Sequence, residues 1–176
     1  MVPNQEQPFL EMTPGAGPRH LAFHPSGNFA YIVNELNATV TACRFDESTG
    51  VLSTINSASI VEDSFAGKKQ SAAVRVHPGG KYVYASNRDD QSNIGVFKVE
   101  ENGAIQRIQI MEDIPYWPRD FNITPDGKYL LIAGARVDEI EAFRIDQATG
   151  MLESLKVRMA VPSPTCILFI PSGSKG

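Results

Sequence analysis

Short apolar runs alternate with polar turns along this chain, and one turn recurs. His24-Pro25-Ser26-Gly27 returns as His77-Pro78-Gly79-Gly80 and Thr124-Pro125-Asp126-Gly127, and Ile170-Pro171-Ser172-Gly173 starts a fourth copy. The prolines stand 53, 47 and 46 residues apart, a period in the range of repeat architectures. In the first repeat Leu21 and Phe23 alternate with Ala22 and His24, the pattern of a short strand. Proline sets φ and glycine supplies a left-handed position, so the motif joins strand to strand. Phe29 to Val33 is apolar on both faces, which places it inside a sheet. Thr39 to Phe45 predicts a third strand, Asp46 to Gly50 a hairpin, and the polar, alternating Val51 to Ile60 an outer strand.

The second repeat copies the scheme with Val74 and Val76, Tyr82 to Ala85, Ile94 to Val99 and Ala104 to Met111, its hairpin at Asn102-Gly103. The third does so with Phe121 and Ile123, Tyr129 to Ala133, Glu139 to Ile145 and Met151 to Ala160. Thr165 to Ile170 is expected to supply only the first strand of a fourth unit. No helical period runs through the repeats, so the fold class is all-β.

Four antiparallel strands per repeat, apolar inside and polar outside, describe the blade of a β-propeller. A β-sandwich is the alternative, but turn chemistry recurring at one period favours the propeller. The expected division is an N-terminal arm or end of a preceding blade at 1–16, blades at 17–70, 71–117 and 118–163, and a closing strand of an incomplete blade at 164–176. Propellers close with four to eight blades, so about three blades and one strand form a partial ring. Its open edges are expected to be covered by missing blades or by a second copy in a homodimer.

Composition narrows the function. An apolar share of 42% and a charged share of 20% are those of a globular protein. The net charge of -4 speaks against a nucleic-acid partner, and no apolar run is long enough to span a membrane. Met1 to Leu10 lacks the pattern of a secretory leader, which makes the cytoplasm the expected location. Cys43 and Cys166 lie in apolar strand patterns without metal-ligand spacing, and both are expected to be small buried side chains. There is no serine nucleophile motif, glycine-rich phosphate loop or His/Cys metal cluster. No metal or other cofactor is expected, and any chemistry would be acid–base and electrostatic.

The turn proline also serves as a ruler. Six residues before it stand Arg19, Ala72, Arg119 and Thr165, and ten after it Glu35, Arg88 and Ala135. In a blade, the loop entering strand one and the loop joining strands two and three share a face. Arg19, Arg88, Arg119 and Glu35 are therefore expected together near the inner ends of the blades. Arginine suits carboxylate or phosphate because its fork donates two parallel hydrogen bonds, and a glutamate beside it can act as acid or base. The competing reading is scaffolding, with the arginines paired across blades to carboxylates such as Asp89, Asp90, Asp113 and Asp120. His20 adjoins the site, although strand alternation points it away from Arg19. His24 and His77 are expected to be structural. Tyr116 and Trp117 could wall a pocket or pack between blades.

Gly15 to Leu21, Val33 to Leu36, Val76 to Arg88, Pro118 to Asn122 and Pro125 to Leu130 together resemble the lactonase family of seven-bladed propellers. That family contains propeller-type 6-phosphogluconolactonases and a 3-carboxy-cis,cis-muconate lactonising enzyme. The resemblance is to the C-terminal half. It implies that Arg19 and Glu35 are catalytic, with Arg88, Arg119, His20, Asn34 and Asn87 binding substrate. A family histidine from an upstream blade has no counterpart here, so half a site is implied. The implied activity is hydrolysis of a small anionic sugar lactone such as 6-phosphogluconolactone. The alternatives are the cyclising reaction on a muconate, or a non-catalytic binding module.

Overall fold

The computed structural model describes residues 4–170. Twelve strands form three antiparallel four-stranded sheets, each in chain order. The first blade comprises β1 (Pro18–Phe23), β2 (Phe29–Asn34), β3 (Thr39–Asp46) and β4 (Val51–Ser59). The second comprises β5 (Gln70–Val76), β6 (Tyr82–Arg88), β7 (Asn93–Val99) and β8 (Ile105–Met111). The third comprises β9 (Pro118–Ile123), β10 (Tyr129–Gly134), β11 (Glu139–Ile145) and β12 (Leu152–Ala160). This is a partial β-propeller.

The recurring turn closes in the same way each time. Gly27, Gly80 and Gly127 donate their N–H to the carbonyls of His24, His77 and Thr124 at 2.9, 2.8 and 2.8 Å. Each glycine has a positive φ, between 73 and 78°, which costs a residue with a Cβ about 1–2 kcal/mol.

Two apolar layers hold the blades face to face. Tyr31, Val33, Val40 and Ala42 of the first blade meet Val74, Val83, Ala85 and Phe97 of the second. Tyr84, Ile94 and Val96 of the second meet Phe121, Leu130, Ile132 and Phe143 of the third. Every position of β6 is buried because the second blade is covered on both faces, as its apolar run on both faces requires. β12, with no blade beyond it among the described residues, is almost wholly exposed.

Polar hooks reinforce these seams. The Asn56 side chain exchanges two hydrogen bonds with the backbone of Ile105, and Gln109 does the same with Leu152 one blade on. Gln7 makes the equivalent pair with Leu52. The arm therefore stands where the outer strand of a preceding blade would.

Two expectations are corrected. Thr165 to Ile170 forms no strand. A strand needs a ladder, and this segment is tied to β9 through side chains only. The Ile167 N–H donates to Asp120 Oδ2 at 2.9 Å, and Asn122 Nδ2 donates to the Ile167 carbonyl at 2.9 Å. The fourth turn, from Pro171, lies outside the described residues. Cys43 is buried but Cys166 is exposed, because among the described residues the segment that carries it has no second sheet to pack under.

Candidate functional site

β-Bulges shape the inner end of the blades. The β1–β2 register slips between Pro18 and His20, and that of β5–β6 between Ser71 and Val74. The β9–β10 pairing slips at the same level, between Ala133 and Gly134. A bulge re-aims side chains that regular alternation would send to opposite faces. Arg19 and His20 consequently line one cleft, with Arg19 NH1 2.9 Å from His20 Nε2. The expectation from alternation fails at this bulge.

Glu35 stands at the centre. Its Oε1 accepts from Arg88 NH2 at 2.7 Å, and its Oε2 lies 3.7 Å from Arg19 Nε. Arg88 comes from the neighbouring blade, so the carboxylate bridges the first seam. The Glu35 side chain remains 31% exposed, whereas that of Arg88 is only 5% exposed. Arg88 is held through Nε and NH2. Its Nε donates to the Gln70 carbonyl at 3.0 Å, NH2 also reaches the Ser71 carbonyl at 3.4 Å, and its guanidinium lies 5.6 Å from the Trp117 ring centroid. Burial, and then Arg19 nearby, push the Arg88 guanidinium down from its ordinary value.

Trp117 holds a left-handed φ of 62° and carries the Arg136 guanidinium on its ring, 3.4 Å from the centroid. It thus packs against Arg88, with Tyr116 edged against it. Of the carboxylates offered as scaffold partners, Asp89 pairs with Lys68, Asp113 with Lys156 and Asp120 with Arg75. Asp90 accepts from the Lys68 N–H. None takes Arg19, Arg88 or Arg119.

Arg119 is exposed and makes no hydrogen bond or ion pair among the described residues. It lines an open cleft of about 310 Å³ with Arg19, His20, Arg75, Asp120, Thr165 and Cys166. Asn34 and Asn87 are not brought to that cleft. Both are buried. Asn34 donates to Thr39 and Thr41, and Asn87 ties Gln70 and Ser71 to Gln91. Sequence reading missed Arg75, which lies three residues before the turn proline. A charge between Val74 and Val76 on an inner strand was the signal that could have found it.

His20 is held below its ordinary value of 6.5, by burial first and by Arg19 second. A guanidinium only donates, so the ring nitrogen facing Arg19 accepts and the imidazole is neutral. Among the described residues no three or more His, Cys, Asp or Glu side chains are grouped so as to hold a metal ion.

Residues 3–169 match the family described as "Lactonase, 7-bladed beta-propeller". The chain belongs to the lactonase family of seven-bladed propellers. It is 34% identical to the 6-phosphogluconolactonase of Bacillus subtilis over 158 residues, covering 89% of this chain and 45% of that one. It is 36% identical to the 6-phosphogluconolactonase of Yersinia pestis (strain Pestoides F), covering 84% of this chain and 44% of the relative. The chain thus spans a little under half the length of the curated lactonases it matches. Among solved structures, the periplasmic gluconolactonase of Pseudomonas aeruginosa superposes with a TM-score of 0.86 at 28% identity, over 93% of this chain and 45% of that one.

Proposed function

We propose that this lactonase-family chain contributes the Arg19–Glu35–Arg88 part of a site that hydrolyses a small anionic sugar lactone, 6-phosphogluconolactone being the substrate its relatives' names suggest. The observation that carries the reading is Glu35, a partly exposed carboxylate gripped by guanidiniums from two blades. In this reading water attacks the lactone carbonyl carbon while Glu35 takes its proton. The negative charge that develops on the carbonyl oxygen faces Arg19, a donor fixed before the reaction begins. The bond from that carbon to the ring oxygen then breaks, and the ring oxygen receives the proton back from Glu35. General base help of this kind contributes about 10²–10⁴-fold. In this reading Arg88, whose side chain is only 5% exposed, acts through Glu35 and not on the ligand directly. It positions Glu35, and Trp117 covers its other side.

The test is the initial rate of 6-phosphogluconolactone opening by the full chain against spontaneous hydrolysis in the same buffer. A rate that rises with protein concentration supports the proposal. A rate equal to the spontaneous one contradicts it.

A further inference from the structure

The cleft beside Glu35 has a second wall that the lactone chemistry leaves unused. Arg75 projects from β5 and is clamped there. Its NH2 donates to Asp120 Oδ1 at 2.8 Å, its NH1 donates to the Val74 carbonyl at 2.9 Å, and its guanidinium lies 5.8 Å from the Phe121 ring centroid. It is still 30% exposed, toward the cleft it lines. Arg119 approaches the same cleft from β9 without a partner among the described residues. Asp120 is already committed. One of its oxygens is taken by Arg75 and the other by the Ile167 N–H.

We infer that Arg75 and Arg119 form an oxyanion subsite that binds the phosphate of a phosphorylated sugar acid or lactone, separate from the Glu35 bridge. The phosphorylated-sugar identity rests on the lactonase reading; the oxyanion site does not.

Charge decides between phosphate and carboxylate. Among the described residues, Arg19, Arg75, Arg88 and Arg119 face two carboxylates, Glu35 and Asp120, which leaves two positive charges around the cleft. His20 adds none, because it accepts from Arg19. A phosphate ester carries about −1.5 to −2 at pH 7 and offers three acceptor oxygens, whereas a carboxylate balances half of that charge. The two guanidiniums also differ usefully. Arg75 is rigid, held by Asp120 and Phe121, and loses little freedom when an anion arrives. Arg119 is uncommitted and can close its fork on the remaining oxygens. A cleft of about 310 Å³ is at the lower end of small-ligand sites, about 300–1,000 Å³, and suits a single sugar.

The experiment is calorimetric titration of the full chain with inorganic phosphate, 6-phosphogluconate and gluconate at one fixed ionic strength, since screening weakens exposed charge pairs. Phosphate is expected to bind, and 6-phosphogluconate to bind at least about tenfold tighter than gluconate, as charge-assisted forks require. Arg119→Ala and Arg75→Gln should each abolish that preference, and Arg144→Ala on the outer surface should keep it. Arg119→Ala carries the test because an unpaired, exposed side chain can be removed without unfolding the blade, which its melting temperature checks. A wild type without the preference, or an Arg119→Ala that retains it, overturns the inference. If phosphate binds and needs Arg119 but no lactone is opened, the subsite stands and the hydrolase reading falls. If lactone is opened while Arg119→Ala keeps the full preference, the hydrolase reading stands and the subsite falls.

Discussion

The Nε2–H of His77 lies 2.9 Å from the carbonyl oxygen of Gly127, the turn glycine of the next blade. His24 makes the same 2.9 Å contact with Gly80 one blade earlier. In each ring the other nitrogen accepts a backbone N–H of its own turn, from Gly79 or from Ser26. The recurring turn is therefore a latch between blades as well as a link within one. The glycine is required twice, for its φ and because a Cβ at Gly127 would stand 2.6 Å from His77 Nε2.

This arrangement predicts an ordered series of alanine variants. Gly27 has a φ of 78°, but a methyl added there would meet nothing within 4 Å, whereas a methyl at Gly80 would stand 2.5 Å from His24 Nε2. Gly27→Ala should cost about 1–2 kcal/mol from φ alone, and Gly80→Ala and Gly127→Ala clearly more. Denaturant melts would check the order. Equal costs at all three glycines would mean the latch contributes nothing.

His77→Ala removes one of two donors to the buried Gly127 carbonyl, Gln147 Nε2 still donating to it at 3.0 Å. The loss is about 0.5–1.5 kcal/mol for the hydrogen bond, beside the packing of the buried ring. His24, whose turn is more exposed, should cost less when changed to alanine. The comparison is made by chemical unfolding of both variants, and a larger effect at His24 would contradict it.

The amide hooks predict a contrast between arm and blade. Gln109→Ala removes both bonds to Leu152 between two complete blades and should lower the melting temperature. Gln7→Ala removes the same pair at Leu52 and should mainly release residues 4–16 to protease, leaving the midpoint of the main transition in place. Limited proteolysis with a thermal melt separates the two outcomes.

Much of this fold was legible because a propeller repeats itself. Pro25, Pro78 and Pro125 fix the turns, and the doubly apolar Phe29–Val33 and Tyr82–Ala85 runs announce inner strands before any tertiary contact is known. Arg19, Glu35 and Arg88 converge because equal offsets from a turn mean equal heights on a blade. What failed depends on features with no local signature. The bulge at Pro18/His20 breaks the period-two rule that sent His20 away from Arg19. Arg75 was overlooked because its partner Asp120 lies 45 residues on, and no spacing rule links them. Thr165–Ile170 has a strand's pattern but no ladder partner among the described residues.

Acid should weaken the fold through His20. Its folded value lies below the ordinary 6.5, so at and just below pH 6.5 the unfolded chain binds a proton that the folded chain refuses. Stability therefore falls as pH drops through about 6.5. His20→Gln removes this contribution, and its melting temperature should decline less between about pH 7 and pH 5.5 than that of the wild type. Parallel curves would show that His20 does not titrate differently on folding.

The most direct measurement of the central claim is kcat for 6-phosphogluconolactone in Glu35→Gln against wild type, with equal melting temperatures confirming equal folding. Glutamine keeps an acceptor for Arg88 but cannot take a proton at neutral pH. A fall in kcat of about 10²-fold or more, with KM little changed, is the result expected of a general base. An unchanged kcat would remove Glu35 from the chemistry and leave the Arg19–Glu35–Arg88 bridge as a structural tie between blades.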